Sequence, residues 1–296
     1  MKIIIPMSGQ GKRFKEKGYI DPKPLITVSG KPIIEHVVGM FPRDSDFIFI
    51  CNKTHLTTTK MRETLLQVAP SATIIEIDEH AYGPVYATSF AFPYINDNEE
   101  VIVSYCDYCM VFDYNGMLET VRQGGYSGAV PSYTGFHPHL LHKGVYGGVL
   151  RDENGMMLDY KEKHSFTENS MNSHHSAGMY YFKRGEELKD YTKELMDSAM
   201  NINGEKYTSM LYYLYLRDGK KIYVPEPSVF MQWGTPEDLE EYIFFENKIY
   251  KKLGMCPKIN SIPEKRKDSL FYTDDQIMFD TVEKYWQNFI ELNLKS

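Results

Sequence analysis

Apolar residues in the first 110 positions come in short blocks that switch between the unbroken runs of a buried strand and the three-to-four spacing of a helix face. Ile3-Ile4-Ile5 is a β-branched run ending at Pro6, as expected of a strand covered on both faces of a parallel sheet. Residues 32–40 (PIIEHVVGM) open an amphipathic helix and residues 46–51 (DFIFIC) read as a strand. A helix over 54–68 carries Leu65 and Val68 on one face, and 72–77 is another β-branched strand. Gly83-Pro84 introduces a short helix, 85–92, ahead of a strand at 100–105. This βαβα rhythm predicts an α/β fold: a Rossmann-like, mainly parallel mixed sheet flanked by helices, with ligands at the carboxyl ends of the strands.

The texture changes beyond residue 126. Segments 127–133, 145–151, 156–161, 177–183 and 221–225 read as shorter strands separated by turn signals such as Asp152-Glu153-Asn154-Gly155, and they predict a mixed-sheet extension that walls one cleft. A helix over 236–253 starts at a Thr235 cap with Pro236 in first position. A proline- and lysine-rich linker, 257–267, leads to a helix over 273–294 with Phe279, Val282, Trp286 and Phe289 on one face. That face suits either the protein's own core or a contact between two copies of the chain.

At 296 residues the chain buries a full core without staples. Its four cysteines show no disulfide spacing, and Cys106-x-x-Cys109 lacks the second pair a zinc site needs. A net charge of −7 argues against nucleic acid as the main partner. No apolar run approaches the roughly 18 residues of a membrane span, and the amino terminus lacks a signal-peptide core, so the expected location is the cytoplasm.

Against that acidic background the cationic loop Ser8-Gly9-Gln10-Gly11-Lys12-Arg13, directly after the first strand, stands out. Glycines let backbone N–H groups surround an anion while Lys12 and Arg13 bring positive charge. Gly9-x-Gly11 is too short for the dinucleotide fingerprint and lacks the P-loop form, so by itself it is equally a tight βα turn. Pro22-Lys23-Pro24 follows, two prolines holding one lysine stiffly where it can neutralise charge during phosphoryl or nucleotidyl transfer. Asp107, at the end of the 100–105 strand, is placed to hold Mg²⁺. His137, His139, His142, His174 and His175 fall in predicted loops and read as polar contacts, not metal ligands.

Read together, G-x-G-x-R-F, P-K-P-L-I-x-V and G-K-P-I-I-E resemble the amino-terminal signature of the sugar nucleotidyltransferases, which couple a nucleoside triphosphate to a sugar 1-phosphate or similar acceptor and release pyrophosphate. Later segments extend the resemblance to about residue 240. Tyr146-Gly147-Gly148-Val149 looks like the glycine strand lying against the acceptor, Glu162-Lys163 like the pair that holds acceptor hydroxyls and phosphate, and Ser176-Ala177-Gly178-Met179-Tyr180 like the A-G-x-Y strand. Gly83 falls where the family carries a segment near base and ribose.

The resemblance implies Arg13, Lys23 and Asp107 as catalytic residues and Ser8, Gly9, Gln10, Gly11, Lys12 and Gly83 as nucleotide contacts. It implies Gly148, Glu162, Lys163 and Gly178 as acceptor contacts. Residues 1–245 would form the catalytic domain and 246–296 a helical extension. In Phe230-Met231-Gln232-Trp233-Gly234-Thr235-Pro236, Gln232 stands where many members carry the second Mg²⁺-binding Asp. An amide oxygen coordinates Mg²⁺ but adds no negative charge. The resemblance thus predicts a Mg²⁺-dependent cytoplasmic enzyme making precursors for a capsule or similar surface glycan. Its substrates would be a nucleoside triphosphate and a small phosphorylated acceptor. Gln232 also admits a nucleotide-sugar binding protein that has lost turnover. A glycosyltransferase would want a D-x-D motif, which Asp107-Tyr108-Cys109 does not supply.

Overall fold

The computed structural model describes residues 1–135, 137, 140, 146–256, 258–260, 263, 280, 283–288, 290 and 291. Its central sheet runs Ile222–Tyr223, Gly128–Ala129, Met179–Phe182, Val101–Ser104, Lys2–Met7, Asp46–Asn52, Thr73–Ile77 in spatial order. Lys2–Met7 lies parallel to both its neighbours, and Asp46–Asn52 is parallel to Thr73–Ile77. Met179–Phe182 runs antiparallel to the strands on either side of it. The sheet is therefore mixed and mainly parallel, as the alternating pattern predicts.

Ile3, Ile4 and Ile5 are all fully buried because both faces of their strand are covered. Successive side chains point to opposite faces, so Ile3 and Ile5 enter one core while Ile4 enters the other. The first core also holds Phe14, Trp233, Leu239 and Trp286; the second holds Val85, Leu188 and Leu211 from the helices Pro84–Ser89, Gly185–Asp197 and Leu211–Arg217. Each such buried aliphatic side chain contributes about 1.5–3 kcal/mol relative to exposure.

A second, antiparallel sheet is ordered Met157–Lys161, Gly148–Arg151, His174–Ser176, Ser132–Tyr133. The strand expected over 127–133 therefore divides, its first half in the central sheet and its second half here. The strand expected over 177–183 is Met179–Phe182, and His174–Ser176 before it belongs to this second sheet. His174 and His175 are thus strand residues, not loop residues: they pair with Val149 and Gly148. The chain passes between the sheets at Gly178, whose φ of +89° only glycine adopts easily, while Ala177 N donates to Pro131 O at 2.9 Å.

Two further differences have local causes. The helix expected over 54–68 is two helices, Lys53–Thr58 and Met61–Val68. Thr57, Thr58 and Thr59 turn their hydroxyls back onto the carbonyls of Lys53, Thr54 and His55, and Thr59 is extended at φ −133°. Its hydroxyl then accepts from Met61 N at 3.2 Å and starts the next helix. The short strand Tyr108–Val111, hidden behind its predecessor in sequence, pairs antiparallel with Val229–Gln232 and sets Gln232 opposite Tyr108.

Pro236–Lys252 is the predicted helix, with Thr235 Oγ1 accepting from Asp238 N at 3.2 Å. Residues 283–288, 290 and 291 are helical, and Trp286 and Ile290 are buried in the first core. Phe279, Val282 and Phe289, with most of the linker, lie outside the described residues, as do His139 and His142. All four cysteines are free thiols, and among the described residues no helix is long and apolar enough to cross a membrane.

Candidate active site

At the carboxyl ends of the central strands lies a cleft of about 500 Å³. Strand Lys2–Met7 delivers Ser8, Gly9, Gln10, Gly11, Lys12 and Arg13 to it, and Val101–Ser104 delivers Tyr105, Cys106 and Asp107. The space above Gly9 and Gly11 is open, so backbone there is accessible to a ligand. Lys12 and Arg13 are exposed at the opening of the short helix Lys12–Glu16. The Ser8–Arg13 loop as a whole therefore lines the cleft.

Lys23 begins a single helical turn, Lys23–Leu25, that brings its Nζ 2.8 Å from Asp107 Oδ2 across the cleft. Burial by itself disfavours the ammonium, but the Asp107 carboxylate and its hydrogen bond outweigh that, and the Lys23 pKa is raised. Lys23 therefore stays charged through the neutral range. Burial pushes the neighbouring Cys106 thiol up to about 12, which leaves it protonated and inert.

Gly234 connects this pair to Gln232. A side chain at Gly234 would begin 2.5 Å from Gln232 Nε2 and 3.3 Å from Asp107 Oδ2, so the Gln232 side chain and the Asp107 carboxylate lie close to one spot. Trp233 N donates to Asp107 O at 2.8 Å and holds the two segments together. One carboxylate and one amide make a partial donor set for Mg²⁺, which commonly takes one or two protein oxygens with substrate phosphates and water. Among the described residues no three His, Cys, Asp or Glu side chains gather to hold a metal alone. Asp107, with the Gln232 amide turned to present Oε1, would suit a Mg²⁺ ion that arrives with phosphate.

The cleft is also lined by His80, Ala81, Gly83, Pro84, Ala87, Tyr105, Glu205 and Tyr207. Of these the sequence singled out Gly83. Its φ is +87°, and a Cβ there would meet Lys206 N and O at 2.7 Å each, so the glycine admits a backbone that folds in from the far half of the chain. His80 Nδ1 accepts from Tyr82 N at 3.3 Å, which leaves Nε2–H to face Ser8 Oγ at 3.0 Å. Burial lowers the His80 pKa despite the nearby Glu205.

The expected acceptor residues Gly148, Glu162, Lys163 and Gly178 are not among the residues that line the cleft. Glu162 accepts from Tyr160 OH at 2.7 Å and from Ser209 Oγ, and its own N–H donates to Tyr213 OH at 3.0 Å. Its charge raises the pKa of Tyr105 and Tyr207, which line the cleft, although burial is the larger cause for both. Lys163 is exposed with a left-handed backbone, φ +51°. At Gly148 a Cβ would lie 2.3 Å from His164 O, so the chain's own carbonyl already makes a close approach there. A Cβ at Gly178 would lie 3.4–3.5 Å from the rings of Tyr105 and Tyr108. The histidines are engaged structurally: His174 with Ser132 and Arg151, His175 with Ser170 O, and His137 with Tyr285.

Glu205, Tyr207 and His80 carry no recognisable spacing to the phosphate loop. Only the fold brings them there.

A family model described as "MobA-like NTP transferase domain" matches residues 3–169. The solved structures that resemble this chain include a nucleoside-diphosphate-sugar pyrophosphorylase from Vibrio cholerae RC9, with a TM-score of 0.64, 19% identity and coverage of 80% of this chain and 97% of that one. A Bacillus anthracis protein described as a glucose-1-phosphate thymidylyltransferase gives 0.63 and 18%, over 81% and 92% of the two chains. The inositol-1-phosphate CTP transferase from T. maritima gives 0.60 and 14%, over 86% and 94%. At these identities the likeness is one of fold.

Proposed function

Because this chain belongs to the MobA-like NTP transferase family, we propose that its cleft transfers a nucleotidyl group from a nucleoside triphosphate to a small phosphorylated acceptor such as a sugar 1-phosphate. The observation that carries the reading is the Lys23–Asp107 pair, 2.8 Å apart in a cleft walled by the Ser8–Arg13 loop. One oxygen of the acceptor phosphate bonds to the α-phosphorus. The bond from that phosphorus to the bridging oxygen breaks, and pyrophosphate leaves with the electron pair. No general base is needed, since a phosphate monoester is already anionic and nucleophilic near neutral pH; position and charge supply the catalysis.

In this reading the amides around Gly9 and Gly11, with Arg13, grip the triphosphate. Lys23 exchanges its Asp107 partner for the α-phosphate and stabilises charge building there. Asp107, with Gln232 Oε1, would hold Mg²⁺, which would neutralise phosphate charge. Glu162 and Lys163 would orient the acceptor. The activated product would feed surface-glycan assembly in the cytoplasm.

The test is pyrophosphate release from purified protein given Mg²⁺, each of CTP, UTP, GTP, dTTP and ATP, and a pool of phosphorylated acceptors. Release that requires both an acceptor and a nucleotide supports the reading. Nucleotide binding with no release from any pair would replace it with a binding protein.

A further inference from the structure

Glu205 is not explained by phosphate chemistry. A carboxylate beside a triphosphate is repulsive, yet Glu205 lines the same cleft as the Ser8–Arg13 loop. Cationic Lys12, Arg13 and Lys23 and apolar Ala81, Pro84 and Ala87 line this same cleft, which therefore offers groups for phosphate and surface for a flat base.

The segment carrying Glu205 is held firmly. Lys206 N donates to Tyr82 O at 3.0 Å and Val85 N to Lys206 O at 3.2 Å, a two-bond stitch around Gly83. The Lys206 ammonium donates to the carbonyls of Leu195, Ser198 and Met200 at 2.6, 2.7 and 3.0 Å, at the end of the helix Gly185–Asp197. Glu205 Oε2 accepts from Tyr207 OH at 2.5 Å, which fixes the carboxylate and leaves Oε1 with no hydrogen-bond donor among the described residues. Glu205 is half-buried, and its β-carbon lies 3.2 Å from where a Gly83 Cβ would stand. A fixed carboxylate at the edge of the cleft is a ready acceptor for a donor on the ligand.

We propose that Glu205 selects the nucleobase, favouring bases with an exocyclic amino group over uracil and thymine. Cytosine, adenine and guanine present N–H donors of that kind, whereas uracil and thymine flank their single N–H with two carbonyl oxygens that a carboxylate repels. The assignment rests on the nucleotidyl-transfer reading, and it concerns residues beyond the stretch that the family model matches.

The test is calorimetric binding of CTP, GTP, ATP, UTP, dTTP and inorganic triphosphate to the full chain, native and with Glu205→Gln or Glu205→Ala, each checked for an unchanged melting temperature. One amino-bearing nucleotide should bind roughly ten- to a hundredfold tighter than UTP and dTTP. Both substitutions should collapse that ratio while inorganic triphosphate binds all three proteins alike. Tyr207→Phe, which frees the carboxylate without removing it, should weaken the ratio in the same direction. Tightest binding of UTP or dTTP, or a ratio unchanged in the variants, would overturn the role of Glu205 and leave nucleotidyl transfer standing. Absence of binding by every nucleotide and by triphosphate would overturn both.

Discussion

The Lys23 ammonium is aimed by the prolines on either side of it and neutralised by a single carboxylate, Asp107, on the facing segment. With its pKa raised, it offers full charge to a developing transition state at any working pH, so the loss on truncation should appear in turnover and not as a displaced pH optimum. Lys23→Ala should lower kcat by about 10²–10³, the magnitude associated with removing one preorganised electrostatic group. Pyrophosphate release under saturating substrates measures it. A loss of tenfold or less would take Lys23 out of the mechanism. The same pair of residues shows how the sequence was legible at this scale: Pro22-Lys23-Pro24 announces a stiff lysine, and Asp107 after the 100–105 strand announces a carboxylate at the strand ends. Their meeting at 2.8 Å is a property of the fold.

The helix Pro236–Lys252 starts where its Thr235 cap and first-turn Pro236 say it must. What it buries is less ordinary. Glu246 is 1% exposed and accepts from Ser29 Oγ, Tyr242 OH and Asn260 Nδ2, fastening the helix to the Thr27–Pro32 hairpin and to the chain beyond Lys252. Burial pushes its pKa up, and the three donors only partly offset that. The sign of the linkage follows. Above the unfolded pKa of roughly 4.3 the unfolded chain releases this proton while the folded chain still holds it, so stability falls as pH rises until the folded carboxyl ionises too. Glu246→Gln keeps an acceptor without the charge and should lessen the fall. Melting temperatures of both proteins across pH 4 to 8 should therefore converge or cross in favour of the variant as pH rises; parallel curves would show that Glu246 titrates normally.

Across the whole molecule, the last described helical residues complete the first core and do not stand apart from it. Trp286 is 4% exposed, packs edge-on to Tyr242 at 5.1 Å between ring centres, and donates Nε1–H to the buried Glu241 at 2.9 Å. Beside it Tyr285 OH donates to Phe230 O at 2.6 Å, in the strand that carries Gln232. Trp286→Ala removes a large side chain and leaves the Glu241 carboxyl without this donor, and should cost about 3–5 kcal/mol in urea unfolding. A cost under about 1 kcal/mol would mean that the segment contributes little to the core.

Local chemistry determined much of this protein unaided. A short β-branched run ahead of helical patterns reads as a strand covered on both faces, and the glycines beside Lys12 and Arg13 mark a turn directly after it. Thr235 and Pro236 fix a helix start. These are short-range effects, set by backbone sterics and by the solvent preference of neighbours. The tertiary structure decided what depends on distant partners. It split the 127–133 segment between two sheets and placed the His174–Ser176 strand in a different sheet from Met179–Phe182. It filled the space above Gly148 with a carbonyl, and it set Gln232 beside Asp107 through a strand pairing of residues more than a hundred positions apart. Glu205 reached the cleft the same way, carried by Lys206 and the Gly83 turn, because two hydrogen bonds and three capped carbonyls specify its position and no periodicity in the sequence records them.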